Sequence, residues 1–538
     1  MRQRTVVVGG GLAGLLAARR RQRAGDQVLV LEQEAAVGGA IAADQVAGLE
    51  LNIGAEAYST ASGAVDALLE ELGLGGQIVS PRQELGSRVV SDAGVHRAPG
   101  ASLLGIPGRP LAADVRAVLG TAGSLRASLE RFLPARYGNR PGATVEELVR
   151  KRLGRRVADR LVAPIVGGVH SADPDVLEFA TASPQLAAAL DRGGSLIRAV
   201  RRIRGRSTAS AGTRVHAVAP TMAALPKTLA SGILEDGGIL RTGVRVTRIE
   251  PGVIQPGETE QNAVEPDSPE QDYPEQHSPE QDAVWPDSPE LDAVGEGARE
   301  EPARRWSVVT SRGERLGADH LVLACPPDVA GELLADAAPT ISAAIPSAPS
   351  ARVRLVALVL DAPALDGFPS GTGALVAPGT AGITAKALTH ATAKWEHVQR
   401  LAREALATAG SPHVVRLSYG RPGEALPAPE GIVDLALADA SAILGVPLRA
   451  EQLIESRVID WDRAMRQARP GHRAALETLT GLLAAEPALE LVGSWRAGTG
   501  IDAIVRADDA AADTTTQTTQ KTQTPQKTQN SLMEGHHR

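Results

Sequence analysis

The chain has 538 residues, 43% of them hydrophobic but only 2% aromatic, and a formal charge of −7. That length exceeds one core of ordinary size, so two or more domains are expected. The single cysteine, Cys325, excludes an intramolecular disulfide and a cysteine-based zinc site, and no apolar run approaches the ~20 residues that cross a bilayer. Charge is distributed unevenly. From Pro251 to Arg304 about 15 carboxylates face two arginines (Arg299 and Arg304), roughly −13 locally, which leaves about +6 for the rest. Such a surplus suits anionic ligands, but the chain is neither basic nor aromatic enough for nucleic acid. No signal-peptide pattern precedes the first apolar run, and the expected compartment is the cytoplasm.

The N-terminal segment carries the strongest pattern. Val6-Val7-Val8 runs into Gly9-Gly10-Gly11-Leu12-Ala13-Gly14, and a second apolar run, Val28 to Leu31, ends on Glu32. Strand, glycine turn, helix, strand and acid follow in the order a dinucleotide requires. Gly9 makes the tight turn, Gly11 admits a pyrophosphate, and Gly14 lets the helix approach the sheet. The helix N-terminus offers N–H groups to the phosphates, and Glu32 accepts the ribose hydroxyls. A free ribose disfavours NADP. The stretch from Glu32 to Val37-Gly38-Gly39 resembles the extended FAD signature of the amine-oxidase-like flavoproteins, with Ala36 where that family carries an arginine. FAD is therefore expected over NAD, bound less tightly than in relatives.

Further along, Ala64 to Leu72 has helical spacing and stops at Gly73. Thr144 is the expected N-cap of a helix in which Glu147 completes a capping box. Arg198 to Arg206 is a basic run, expected as a solvated loop, with contact to anionic lipid as the alternative. Val244 to Ile249 and Trp306 to Thr310 read as two strands of one hairpin, split by an acidic Pro-rich insert (251–302) expected to be disordered. His320 to Leu323 is a buried strand that stops at Cys325-Pro326-Pro327, with Cys325 as a small core residue. Arg352 to Leu360 is another strand, and the Thr/Gln-rich tail (513–538) is expected to be disordered.

Several of these segments together resemble the oxygen-dependent coproporphyrinogen III and protoporphyrinogen oxidases, of Gram-positive actinobacterial type, within the amine-oxidase-like FAD flavoproteins. The motifs are Gly54-Ala55-Glu56-Ala57-Tyr58, Gly105-Ile106-Pro107, Pro164 to Val169-His170 with Asp173-Pro174, Lys386 to His390 with Lys394-Trp395, and Arg416 to Arg421. Trp461-Asp462-Arg463-Ala464, Gly471-His472 and Gly493 to Ile501 complete the series. The resemblance implies an α/β (α+β mixed) fold: a Rossmann-like FAD-binding domain (1–82, 216–250 with 303–335, and 451–512), a discontinuous mixed-sheet substrate domain (83–110, 171–215 and 336–450) and a small helical subdomain (111–170). It implies that Gly9, Gly11, Leu12, Ala13, Gly14, Glu32, Gly38, Gly39, Val246, Trp495, Gly500 and Ile501 hold FAD. The FAD is noncovalent, because the C-terminal motif has no cysteine.

The implied reaction is the oxidation of a porphyrinogen, coproporphyrinogen III ahead of protoporphyrinogen IX, in three rounds that each consume O2 and release H2O2. No catalytic side chain and no metal is assigned, because the flavin carries the chemistry. Arg97, Lys386, Lys394, Arg416 and Arg421 are candidates for substrate propionates, with a solvated surface charge as the plain alternative for each. His170 and His390 are expected to be packing residues. Peripheral membrane contact and haem-pathway enzymes are further expected partners. Besides Ala36, the chain departs from the family pattern at Asn52, Ala61, Pro220-Thr221 and Ile501-Asp502-Ala503-Ile504-Val505. Those departures keep a flavin amine oxidase, and a flavin-binding protein with little or no turnover, as alternatives.

Overall fold

The computed structural model describes residues 2–169, 173–205, 214–252, 305–421, 423–466 and 469–523. His170, the acidic insert from residue 253 onward and the end of the tail lie outside them. Within the described residues the fold is mixed α/β, organised around two sheets.

The first sheet has five strands, all parallel, in the order Ile239–Arg241, Gln27–Leu31, Arg4–Val8, His320–Leu323 and Leu489–Leu491. Its strands are apolar along their whole length because both faces are covered. Val7, Val28, Val30 and Val322 face one core with Leu12, Leu15 and Leu16 of helix Leu12–Arg23. Val6, Val8, Leu29 and Leu321 face the opposite core. There a three-stranded antiparallel meander joins Val246–Pro251, Trp306–Thr310 and Arg315–Ala318. The first two strands of this meander are the expected hairpin; Pro251 lies opposite Trp306, where the insert leaves and returns.

The second sheet has seven strands, in the order Leu453–Arg466, Ser350–Asp361, Pro412–Tyr419, Ala387–His390, Gly373–Val376, Arg88–Ser91 and Gly94–Arg97. One pair, Gly373–Val376 with Arg88–Ser91, is parallel and the rest are antiparallel. Side chains alternate across it. Val356, Leu358, Val415 and Leu417 pack against helix Ile432–Leu444, whereas Val359 and Val414 join the core shared with the five-stranded sheet.

The helical unit shares one core that runs from Ile106 to Val200 and includes Leu148, Leu161 and Leu186. It thus extends beyond the expected 111–170. Helix Val145–Leu153 starts at Thr144, whose side chain accepts from Glu147 N at 3.2 Å. The capping box is only half made, because the Glu147 carboxylate turns to Arg140 (2.7 Å) and Lys151 (2.8 Å) instead.

Two further expectations are corrected. Most of the basic run is helical, Leu196–Arg204, because Leu196, Ile197, Ala199 and Val200 all pack inward at helical spacing. Helix Ile501–Gln523 continues into the segment expected to be disordered. Once the buried Ile501 and Val505 fix its first turns, each added residue gains a hydrogen bond without new nucleation.

Candidate active site

The glycine turn is built by close approach. Gly9 has φ +107°, and a Cβ on Gly14 would lie 1.9 Å from the Gly9 carbonyl oxygen. Neither position admits a side chain. Gly11 is different: a Cβ there would meet nothing within 4 Å. The turn therefore leaves open space at the N-terminus of helix Leu12–Arg23, where unpaired N–H groups and the dipole favour a phosphate. The side chains of Leu12 and Ala13 belong to that first turn, and Leu12 is buried in the core beneath it.

Glu32, at the end of the second strand, is 7% exposed. Its carboxylate accepts from Gly10 N at 2.6 Å and Glu34 N at 2.9 Å, which fixes its direction. Gly38 N donates to Gly10 O at 2.9 Å, bringing the second glycine pair against the first. Gly39 lies so close that its Cβ would stand 3.4 Å from Gly11 Cα. Val246 opens the meander strand beside this loop, its neighbour Val244 donating to Glu32 O at 2.9 Å.

The C-terminal motif closes the same end of the sheet. Trp495 is buried on the meander side, its indole N–H without a partner among the described residues and its carbonyl accepting from His472 Nε2 at 2.8 Å. Gly500 has φ +113° and leads into Ile501, buried against the core of helix Leu12–Arg23. An open glycine turn, an oriented carboxylate and an orphaned indole N–H at the carboxyl ends of parallel strands fit a dinucleotide cofactor.

A second glycine loop joins this cradle to the seven-stranded sheet. Ala55 N donates to Ala40 O at 2.8 Å, and Trp461 Nε1 donates to Ile53 O at 2.8 Å. The next residue, Glu56, has a side chain only 11% exposed and holds two cations, Arg416 at 2.9 Å and Lys394 at 3.3 Å. Trp395 Nε1 also donates to Glu56. Burial alone would raise this carboxyl, but Lys394 and Arg416 outweigh it and hold it down at about 2. Arg416 adds bonds to the carbonyls of Asn52 (2.8 Å) and Gly54 (3.2 Å). The motif containing Glu56 was legible in the sequence; its role was not, since its partners lie more than 300 residues away.

The remaining candidate cations are placed elsewhere. Lys386 and Arg421 lie together: Lys386 Nζ donates to Gly420 O at 2.9 Å, and Arg421 reaches the carbonyls of Thr384 (2.8 Å), Ala385 (3.0 Å) and Val376 (3.3 Å). Burial, with Arg421 beside it, lowers the Lys386 ammonium to about 8. Arg97 is exposed on the edge strand. His390 is fully buried, its Nε2 3.0 Å from His413 Nδ1, and burial lowers it to about 3. Its ring packs edge-on against Phe368, 5.6 Å between centres. Cys325 is half-buried at the end of its strand, and burial pushes its thiol up to about 12.

Two of the departures from the family pattern, Asn52 and Asp502, are hydrogen-bonded in place. Met222 N, just after Pro220-Thr221, donates to Asn52 Oδ1 at 2.8 Å. Asp502, in the altered last helix, accepts from Ser62, beside Ala61.

The sequence profile of the flavin containing amine oxidoreductases matches residues 12–265. A coproporphyrinogen III oxidase of Mycobacterium leprae is 28% identical over 522 residues, covering 94% of this chain and 97% of the relative. Over residues 12–265 the chain is similar to the flavin-containing amine oxidoreductases. Among these flavoenzymes, another coproporphyrinogen III oxidase, from Mycobacterium bovis, is 29% identical over 93% of this chain and 94% of its own length. The expected family and its actinobacterial type are borne out, and the chain is an oxidoreductase. A crystal structure from an Exiguobacterium species, provisionally assigned as a protoporphyrinogen oxidase, superposes with a TM-score of 0.71 at 20% identity, covering 96% of this chain and 98% of that one. This flavoprotein fold is the expected mixed α/β architecture.

Proposed function

We propose that this flavoenzyme is an oxygen-dependent coproporphyrinogen III oxidase with noncovalent FAD. The observation that carries the reading is the cluster beside the cofactor cradle, where two cations on one carboxylate leave a net positive charge. A substrate with four propionates has more use for such a charge than one with two. The likeness to mycobacterial relatives of that name, over nearly the whole chain, supports it.

Bound FAD would supply the hydride acceptor for each of three rounds, in which the porphyrinogen gives up a meso-carbon hydride and a pyrrole N–H proton and O2 ends as H2O2. The protein's work is placement. The face of the seven-stranded sheet opposite helix Ile432–Leu444 offers Leu355, Leu375 and Ala387 as an apolar wall that excludes water. Lys394 and Arg416 take the propionates. Gly9, Gly11, Gly14 and Gly38-Gly39 cradle the pyrophosphate, Glu32 takes the ribose, and Val246, Trp495 and Gly500-Ile501 enclose the rest. The Gly493 to Ile501 motif holds no cysteine, and the Cys325 thiol, pushed up to about 12 by burial, is a poor nucleophile, so the cofactor stays unlinked. Two of the departures, Asn52 bonded by Met222 N and Asp502 bonded by Ser62, are held in the folded structure, which favours turnover.

Anaerobic mixing tests this reading. Adding coproporphyrinogen III to the FAD-loaded protein should bleach the oxidised-flavin spectrum, and air should restore it with release of peroxide. A spectrum that does not change, with FAD bound, contradicts it.

The membrane contact is proposed on the helical unit rather than on the basic run. Arg201 and Arg204 of that run turn inward to the carbonyls of Gly108 and Gly100, both at 2.8 Å. Leu125, Leu129 and Phe132, by contrast, are 54%, 55% and 70% exposed. Their spacing puts them on one side of the chain, with Arg131 stacked 4.6 Å from the Phe132 ring and Arg126 next to Leu125 in sequence, its guanidinium on the Lys151 and Arg152 carbonyls. An apolar ridge among arginines fits an anionic lipid surface. Sedimentation with phosphatidylglycerol vesicles should be lost in a Leu125→Ser/Phe132→Ser double variant; equal sedimentation of parent and variant contradicts the placement.

A further inference from the structure

We propose that Glu56 is the positioning residue of a carboxylate subsite made by Lys394 and Arg416, fixing both cations where the two sheets meet and keeping the lysine charged. The inference deepens the proposed function and rests on it for the substrate. Three observations carry it. First, the cluster ties the two halves of the molecule together at the cofactor: Glu56 lies on the loop whose Ala55 bonds to Ala40, next to the Gly38-Gly39 pair, while Lys394 and Arg416 come from the seven-stranded sheet and the turn that follows it. Second, its charge is unbalanced. One carboxylate meets two cations, and the side chains of Lys394 and Arg416 keep 16% and 17% of their surface exposed. A purely structural pair is neutral and closed. Third, the two cations are held differently. Arg416 is also anchored on the carbonyls of Asn52 and Gly54, so it stays in place without Glu56. Lys394 has its Nζ 3.3 Å from Glu56 and 4.9 Å from the Trp395 ring centre, and depends on Glu56 for a counter-charge.

The electrostatics follow. Removing the carboxylate leaves an ammonium beside a permanent guanidinium, and that repulsion favours loss of the lysine proton. The other charged groups facing the cluster come from helix Glu396–Ala405. His397 lies close to Glu56 and is kept neutral by burial, and Arg400 is permanently charged. Neither supplies the missing negative charge.

The test is binding, so it does not depend on turnover. The full chain, saturated with FAD, is titrated with coproporphyrin III and with its methyl ester between about pH 7 and pH 9.5, where the free porphyrin carboxylates do not titrate. In the parent, affinity for the free acid should exceed that for the ester and change by less than about twofold across the range. Glu56→Gln keeps an acceptor for Trp395 but removes the charge; its affinity for the acid should weaken about tenfold as the pH rises, with no change for the ester. Glu56→Gln with Lys394→Arg should be flat again, because a guanidinium does not titrate there. Glu56→Asp, which restores charge with a shorter reach, should show an intermediate slope and serves if the glutamine variant does not fold. A glutamine variant as flat as the parent overturns the role of Glu56 while leaving the substrate reading intact. A parent that does not prefer the acid over the ester overturns both.

Discussion

Glu130 and Glu56 are both carboxylates paired with arginine, and they are completed in opposite ways. Glu130 and Arg152 are fully buried, joined at 2.7 Å, and every remaining valence is used. Arg152 donates to the carbonyls of Pro134, Ala135, Tyr137 and Gly194, and Glu130 accepts from Ser195 Oγ (2.6 Å) and from Leu196 N (2.8 Å), at the N-terminus of helix Leu196–Arg204. The cluster is neutral, dry and confined to the helical unit. Glu56 instead binds two cations that keep part of their surface, and it spans two sheets. Neutral closure marks a pair that holds a fold together, whereas surplus charge with residual exposure marks one that can still meet a ligand.

The sharpest way to break this contrast is to remove one partner from each cluster. Arg152→Met strands Glu130 in the interior and should cost about 3–5 kcal/mol in urea unfolding. Glu56→Gln should cost much less, about 1 kcal/mol, since its cations are partly solvated and Arg416 keeps its carbonyl bonds. Equal losses would erase the distinction.

The glycine turn supplies the next comparison. Gly14→Ala collides with the Gly9 carbonyl, so both stability and FAD content should fall. Gly11→Ala enters open space, so the apoprotein should keep its unfolding midpoint while FAD affinity drops about tenfold or more. Flavin content and the apoprotein melting curve separate the two. Equal behaviour would mean that the open space at Gly11 is not where the cofactor lies.

Acid should affect His390 and Glu56 in different windows. His390, lowered by burial from 6.5 to about 3, binds its proton more readily in the unfolded chain. Its contribution is therefore complete above about pH 6.5 and is lost as the pH falls toward 3. Glu56, held at about 2 against an ordinary 4.5, contributes fully above pH 4.5 and loses that contribution as the pH falls toward 2. Unfolding midpoints measured against pH should lose the upper part of the acid limb in His390→Gln and the lower part in Glu56→Gln. The smallest effect is expected at the Arg400–Glu404 pair, whose side chains are 63% and 59% exposed. Arg400→Ala should change stability by less than about 0.5 kcal/mol.

What the sequence made legible was local. The first strand, the glycine turn and Glu32 occupy one short stretch, and their chemistry depends on spacing along the chain, so the cradle could be read without coordinates. The split hairpin was legible because its two strands kept their own apolar character on either side of the insert. Glu56 stood inside a quoted motif yet gave no sign of its partners, because its contacts with Lys394 and Arg416 arise only when the sheets dock. Arg152 looked like one charge among many on a basic helix, with nothing to mark it as the buried one. The run from Arg198 was read by its charge, and the buried Leu196, Ile197 and Val200 that make it a helix were outweighed in that reading. The cation candidates show the same limit. The family resemblance nominates Arg97, Lys386, Lys394, Arg416 and Arg421, but only strand alternation and long-range pairing separate Lys394 and Arg416 from the two that lie together at Gly420.

The most direct measurement is porphyrin fluorescence. FAD-loaded protein in air is given coproporphyrinogen III or protoporphyrinogen IX, each beside an enzyme-free autoxidation control. Rapid growth of fluorescence with coproporphyrinogen and little with protoporphyrinogen is the predicted result. Growth no faster than the control with both substrates, with FAD demonstrably bound, would contradict the assignment of this flavoenzyme to porphyrinogen oxidation.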